Sequence, residues 1–154
     1  MPANQPPRSH SLRTGRFSEP GRVYLLTAVL QAREPLLADL HLARLLVYEL
    51  RGAHEQGLAS FLAWVVMPDH LHWLLRLGDG NLDALMRRVK ARSALAISHR
   101  RGRTGPLWQD GYHDHALRHE DDIKALARYV LANPLRAGLV ERLGDYPLWD
   151  AVWL

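Results

Sequence analysis

Three apolar runs of strand length and at least two stretches of helical period predict an α+β fold for this 154-residue chain. Residues 23–30, 58–67 and 70–77 are short, rich in branched and aromatic side chains, and bounded by Gly, Pro or Asp, as buried strands are. The first strand is broken at Glu34-Pro35. Leu37, Leu40, Leu45, Leu46, Tyr48 and Leu50 then recur at roughly helical spacing as far as Gly57. Residues 58–67 form the second strand, Met67-Pro68-Asp69 a turn, and residues 70–77 the third strand. Pro68 marks the break, because proline cannot donate to a ladder and restricts the residue before it.

Gly78-Asp79-Gly80 punctuates the chain again. Asn81 is then placed to cap a long helix whose apolar stripe is Leu82, Leu85, Met86, Val89, Leu95 and Ala96. Residues 102–106 end it, and residues 107–118 read as a fourth, irregular strand. Glu120, Asp121 and Asp122 suit the positive end of a last helix running to about Ala132. Asn133 precedes Pro134 and is expected outside the helical region, with Pro134 opening a further turn that ends before Gly138. The order β-α-β-β-α-β-α is that of two split βαβ units, which makes a ferredoxin-like, four-stranded antiparallel sheet with helices. The aromatic tail, Tyr146-Pro147-Leu148-Trp149 and Trp153, is expected to fold back as a packing lid. Residues 1–20 are polar and lack a hydrophobic period, so a flexible arm carrying Arg8, Arg13 and Arg16 is expected there, and a single domain over 21–154.

Composition narrows the chemistry. Cysteine is absent, which removes disulfides, thiolate ligands and cysteine nucleophiles together. No apolar stretch approaches a membrane span and no secretory signal opens the chain, so a cytoplasmic, nucleoid-associated protein is expected. The net charge is only +4, but 18 of the 20 basic residues are Arg. Arginine offers phosphate a planar fork of donors, although a GC-rich genome enriches it too. Distribution says more. No acidic residue lies between Asp83 and Asp110, while Arg87, Arg88, Lys90, Arg92, Arg100, Arg101 and Arg103 all fall there, as in a nucleic-acid footprint.

Within the third strand, His70 and His72 project from one face about 7 Å apart at Cα, a spacing at which both imidazoles can lean onto one metal ion. An isolated His-x-His is more often packed or solvated than ligating. Tyr129 and Asn133 stand four apart, hence on one helix face, where a lone Tyr is usually core and an Asn before Pro usually a turn residue. Taken together these residues fit one reaction. A metal held by two imidazoles and a carboxamide oxygen would polarise a phosphodiester, and Tyr129 would attack phosphorus as a covalent nucleophile. A second pair, His113-Asp114-His115, competes for the ligand role; His115 reads better as a contact to bound DNA. Trp108 and Tyr112 could stack on unpaired bases, with a core position the stronger reading for Trp108.

The combination resembles the HUH single-strand transposases, and among them the REP-associated tyrosine transposases. Val66-Met-Pro-Asp-His-Leu-His72 is similar to the family's histidine motif, and Tyr129-Val-Leu-Ala-Asn-Pro-Leu-Arg-Ala-Gly-Leu-Val140 to its tyrosine motif. Leu107-Trp-Gln-Asp-Gly-Tyr112, Asp114-His-Ala-Leu-Arg118 and Asp145-Tyr-Pro147 extend the likeness from about Gly21 to the C-terminus. The resemblance implies divalent-metal-dependent cleavage and joining of single-stranded DNA at REP-type hairpins, through a 5′-phosphotyrosine, by a monomer or homodimer. Carried onto this chain, His70 and His72 are metal ligands, Tyr129 the nucleophile and Asn133 the third ligand. The family implies Mg2+ or Mn2+, whereas two imidazoles by themselves suit zinc, nickel or copper better. Two other functions stay open on the residues alone. One is a non-catalytic binder of single-stranded DNA or RNA with RRM-like topology; the other is a hydrolase of small phosphoesters.

Overall fold

A computed structural model of the protein describes residues 18–153. In chain order the elements are β1 (Val23–Val29), α1 (Leu40–Glu55), β2 (Ala59–Val66), β3 (His70–Leu77), α2 (Leu82–Arg101), β4 (His113–Leu117), α3 (Glu120–Leu131), α4 (Asn133–Arg136) and β5 (Trp149–Ala151). The sheet runs β4-β1-β3-β2-β5, and every pairing is antiparallel. Its first four strands have the arrangement of two interleaved βαβ units, the ferredoxin-like core expected. Arg8, Arg13 and Arg16 lie outside the described residues. At the start of those residues, the Glu19 amide donates to the Tyr24 hydroxyl at 3.0 Å.

Alternation along β3 sorts the core into two layers. Leu71, Trp73, Leu75 and Leu77 join Leu26, Ala28, Leu46 and Leu50 of β1 and α1, and Leu85, Met86, Val89 and Ile97 of α2. Leu74 points the other way, into a smaller cluster with Val23, Ala63, Val65, Leu117 and the α3 residues Ile123, Ala127, Val130 and Leu131. Each such aliphatic side chain contributes about 1.5–3 kcal/mol when fully buried. The sheet is therefore covered by α1 and α2 on one face and by α3 on the other.

Five details depart from the sequence reading, the last of them at Asn133. The sheet has five strands, because the tail supplies β5 instead of a simple lid: Ala63 pairs with Ala151, Trp64 with Asp150 and Val65 with Trp149. Tyr146 clamps this return by donating to the Val66 carbonyl at 2.5 Å. The stripe of α2 runs through Ser93 and Ile97, leaving Leu95 74% exposed. Ser93 is tolerated in the core because its hydroxyl accepts from the Trp108 indole at 3.0 Å. In α1 the inward face is Leu42, Ala43, Leu46, Leu50 and Ala53, with Tyr48 exposed. The fourth strand is confined to 113–117. Upstream, Trp108 makes only an isolated bridge to Leu30, and Gly111, at φ 73°, turns the chain toward β4.

Asn81 caps α2 as expected, accepting from the Ala84 amide at 2.8 Å, and Gly102 ends it in the left-handed conformation. Asn133 is helical, as the first residue of α4, because Ala132 turns the chain without leaving the right-handed region. Gly78 answers a different need. A Cβ there would sit 2.0 Å from the Gly57 carbonyl oxygen, where the two hairpin ends cross. Gly78→Ala should therefore forfeit about 1–3 kcal/mol in urea unfolding, the range for forced overpacking. Gly52→Ala, with open space around it, should cost nothing measurable in the same assay.

Candidate active site

The turn before β3 and the strand itself preset both imidazoles. His70 Nδ1 lies 2.7 Å from Asp69 Oδ1. A carboxylate only accepts, so Nδ1 carries a proton, and in the neutral ring the lone pair is on Nε2. His72 Nδ1 and Thr27 Oγ1 share a hydrogen bond of 2.9 Å, set by the register that places Thr27 opposite His72. The two rings meet edge to face, with centroids 4.8 Å apart. Among the described residues neither Nε2 has a hydrogen-bond partner, so each ring is anchored by one nitrogen and presents the other.

Burial, followed by the charges of His70 and Arg136, lowers the His72 pKa to about 4. Its ring is therefore neutral at physiological pH and able to donate a lone pair. Asp69 is pushed up by burial, but its hydrogen bonds and charge interactions with His70 and Arg33 prevail and hold it below the usual carboxylate value.

At the far end of α3, Ile123, Ala127, Val130 and Leu131 take the buried face, which turns Tyr129 outward at 63% exposure. Arg136, seven residues on, lies over the Tyr129 ring with Cζ 3.9 Å from its centroid, and Nη1 donates to the Tyr129 carbonyl at 2.7 Å. The same guanidinium is close enough to His72 to depress its protonation. Arg136 thus contacts the tyrosine directly and acts on His72 through its charge. It was not among the residues expected from sequence, although a spacing of two helical turns after Tyr129 was the available signal. Asn133 donates from Nδ2 to the Val130 carbonyl at 2.7 Å, which leaves its Oδ1 as an available acceptor.

The basic run lies elsewhere. Because α2 covers the sheet face opposite His70 and His72, Arg87, Arg88, Lys90, Arg92, Arg100, Arg101 and Arg103 are on or beyond the other layer. Lys90 is spent on the carbonyls of Gln109 and Gly111. Arg92 pairs with Glu49 at 2.7 Å and Arg101 with Glu34 at 3.7 Å. Arg87, Arg88, Arg100 and Arg103 make no ion pair among the described residues.

Tyr112 is buried and its hydroxyl donates to Asp83 at 2.6 Å, so it offers no ring face to a base. Trp108 is buried as well. His113 and His115 are exposed on β4, opposite Thr27 and Leu25, and therefore share the face of His70 and His72. A cleft of about 690 Å³ lined by Arg22, Arg76, Arg118, Glu19 and Glu120 opens beside Arg76, six residues along β3 from His70.

Among the described residues no three His, Cys, Asp or Glu side chains are grouped to hold a metal. On the face of His70 and His72 the two imidazole Nε2 atoms are the available donors, a pair that would fit an ion with open positions completed by water or phosphate oxygens, not a closed structural site.

The chain thus carries a histidine pair on a split-βαβ sheet and an exposed tyrosine near the end of α3. The family model described as "Transposase IS200 like" matches residues 23–133, and the chain belongs to that family. A REP-associated tyrosine transposase of Escherichia coli K12 is 32% identical over 87 residues, covering 55% of this chain and 50% of the relative. The chain thus matches about half the length of that relative. A Haemophilus influenzae protein provisionally given the same name is 26% identical over 143 residues, covering 82% of this chain and 78% of its own. The solved structure of a REP-associated tyrosine transposase bound to a REP hairpin superposes with a TM-score of 0.73 at 25% identity, over 87% of this chain and 79% of that one. The structure of a Deinococcus radiodurans R1 protein provisionally named a transposase, at 23% identity and a TM-score of 0.53 over 70% of this chain and 87% of that one, shares the fold. No helix among the described residues is long and apolar enough to cross a membrane.

The His72 shift has a thermodynamic sign. A folded pKa near 4 against 6.5 makes protonation favour the unfolded chain. The contribution is fully present above pH 6.5 and is lost as pH falls toward 4. Melting temperature should drop across that window in the wild type, and drop less in His72→Gln, by circular dichroism at matched ionic strength.

Proposed function

We propose that this chain cleaves and rejoins single-stranded DNA beside REP-type hairpins through a covalent 5′-phosphotyrosine on Tyr129. The observation that carries the reading is Arg136, which stacks on Tyr129 and whose charge reaches His72. The same guanidinium thus bears on both Tyr129 and the His72 imidazole.

The Tyr129 oxygen attacks the scissile phosphorus, its proton passing to solvent or a nearby base, and the 3′-oxygen leaves and is protonated. The phosphodiester energy is kept in the protein–DNA ester. A 3′-hydroxyl from another strand can then attack that ester, restoring a phosphodiester and freeing the tyrosine without ATP. His70 and His72, with Asn133 Oδ1, would hold a divalent ion, Mg2+ or Mn2+. When bound, the ion withdraws charge from a non-bridging phosphate oxygen. Arg136 screens the phosphate's charge and steadies the Tyr129 ring until the substrate arrives.

DNA meets two surfaces in this reading. The face bearing His70, His72, His113 and His115 takes the strand to be cut, while Arg87, Arg88, Arg100 and Arg103 take duplex phosphates on the other layer. A non-catalytic, RRM-like binder fits less well, since α3 covers part of the second sheet face such modules leave open.

Labelled single-stranded DNA bearing a REP hairpin, incubated with Mn2+, should yield a covalent adduct on a denaturing gel. Tyr129→Phe should give no adduct while still binding the hairpin; an adduct from that variant would overturn the nucleophile assignment. His70→Ala with His72→Ala should abolish cleavage. Each of Arg87, Arg88, Arg100 or Arg103 that meets a phosphate should, on change to Ala, reduce the slope of log affinity against log salt by about one.

A further inference from the structure

The segment between β1 and α1 is strained for no packing reason of its own. Ala32 (φ 55°) and Arg33 (φ 49°) both lie in the left-handed region, and they are the only non-glycine residues there among those described. That conformation crowds Cβ against the backbone, and two such residues in succession are rare outside sites that depend on them. None of Gln31, Ala32 and Arg33 is buried, so no side chain of theirs gains core contacts in return.

The distortion serves an outward connection instead. The Leu30 amide donates to the Asp69 carbonyl and the Leu37 amide to the Pro68 carbonyl, each at 2.9 Å, which fastens both ends of the segment to the turn before β3. Between those fastenings Arg33 reaches back over the turn, with Nη1 3.1 Å from Asp69 Oδ2. The other oxygen of that carboxylate accepts a hydrogen bond from His70 Nδ1 at 2.7 Å. Guanidinium, carboxylate and imidazole therefore form one chain, and its last member is a proposed metal ligand.

We infer that Arg33 is a positioning residue of the active site: acting through Asp69, it locks the His70 ring in the tautomer and orientation that present Nε2. A half-buried carboxylate with a single hydrogen bond can still swing about its own torsions. One held at both oxygens cannot, and second-shell partners of this kind set both the orientation and the basicity of a ligating histidine. The left-handed pair bends the main chain where the guanidinium reaches Asp69. This inference rests on the reading of His70 as a ligand, so its test has one arm that needs no metal.

In the metal-free protein, nitrogen-detected NMR of the His70 ring should show a single Nδ1–H tautomer in the wild type. Arg33→Ala should give a mixture of tautomers, and Arg33→Lys, which restores a cation beside Asp69, should recover most of the wild-type signal. In a second arm, Mn2+ titrated into the full chain by electron paramagnetic resonance should bind about tenfold more weakly to Arg33→Ala than to wild type. Asp69→Asn should add little to that loss, because the two act in series. An unchanged tautomer with an unchanged Mn2+ affinity in Arg33→Ala overturns the role, even if that variant is less stable. Failure of the wild type to bind Mn2+ through His70 and His72 would defeat the metal reading instead, and the tautomer arm would still decide Arg33.

Discussion

In β3, His70, His72 and Leu74 leave the sheet on one side while Leu71, Trp73 and Leu75 leave it on the other, and this alternation governs the rest of the molecule. The strand has a neighbour on each side, β1 and β2, so its register is held by two ladders at once. A slip of one residue would bury both imidazoles beneath α1 and α2 and expose Trp73 toward α3. Thr27 adds a side-chain lock, because it faces His72 in the register and bonds to it. The chemistry of the site is therefore secured by the same pairing that builds the core.

How far the sequence could be read follows from what pattern encodes. Period-two runs and helix caps are local, so the order of strands and helices, the Asn81 cap and the common face of His70 and His72 were all legible. The two sheet faces are a tertiary matter. Nothing in the basic run between Arg87 and Arg103 says on which side of the sheet its helix will lie, and the structure puts it across from the histidines. The three residues of β5 carry no period to detect, and they are recruited by a β2 edge that only the folded sheet presents. The stripe through Ser93 was hidden because a hydroxyl reads as polar until its indole partner at Trp108 is known. Arg33 was missed because its partner is 36 residues away and reached through an unusual backbone, whereas Arg136 left a signal in its spacing from Tyr129.

Charge is thus divided between two jobs. Some of the arginines and Lys90 are consumed in holding the fold together, through Glu49, Glu34 and the carbonyls ahead of β4. Arg33 and Arg136 instead engage Asp69 and Tyr129, the neighbours of the candidate site. A count of basic residues cannot separate these groups; only their partners do.

The closure of β5 onto β2 bears on how the protein is made. Residues 149–151 are translated more than 80 positions after the strand they join, so a nascent chain exposes the outer margin of β2 for roughly 4–17 s at ordinary elongation rates. During that interval Ala63 and Val65 lie beside unsatisfied backbone groups, a natural point for a chaperone to hold the polypeptide as it leaves the ribosome.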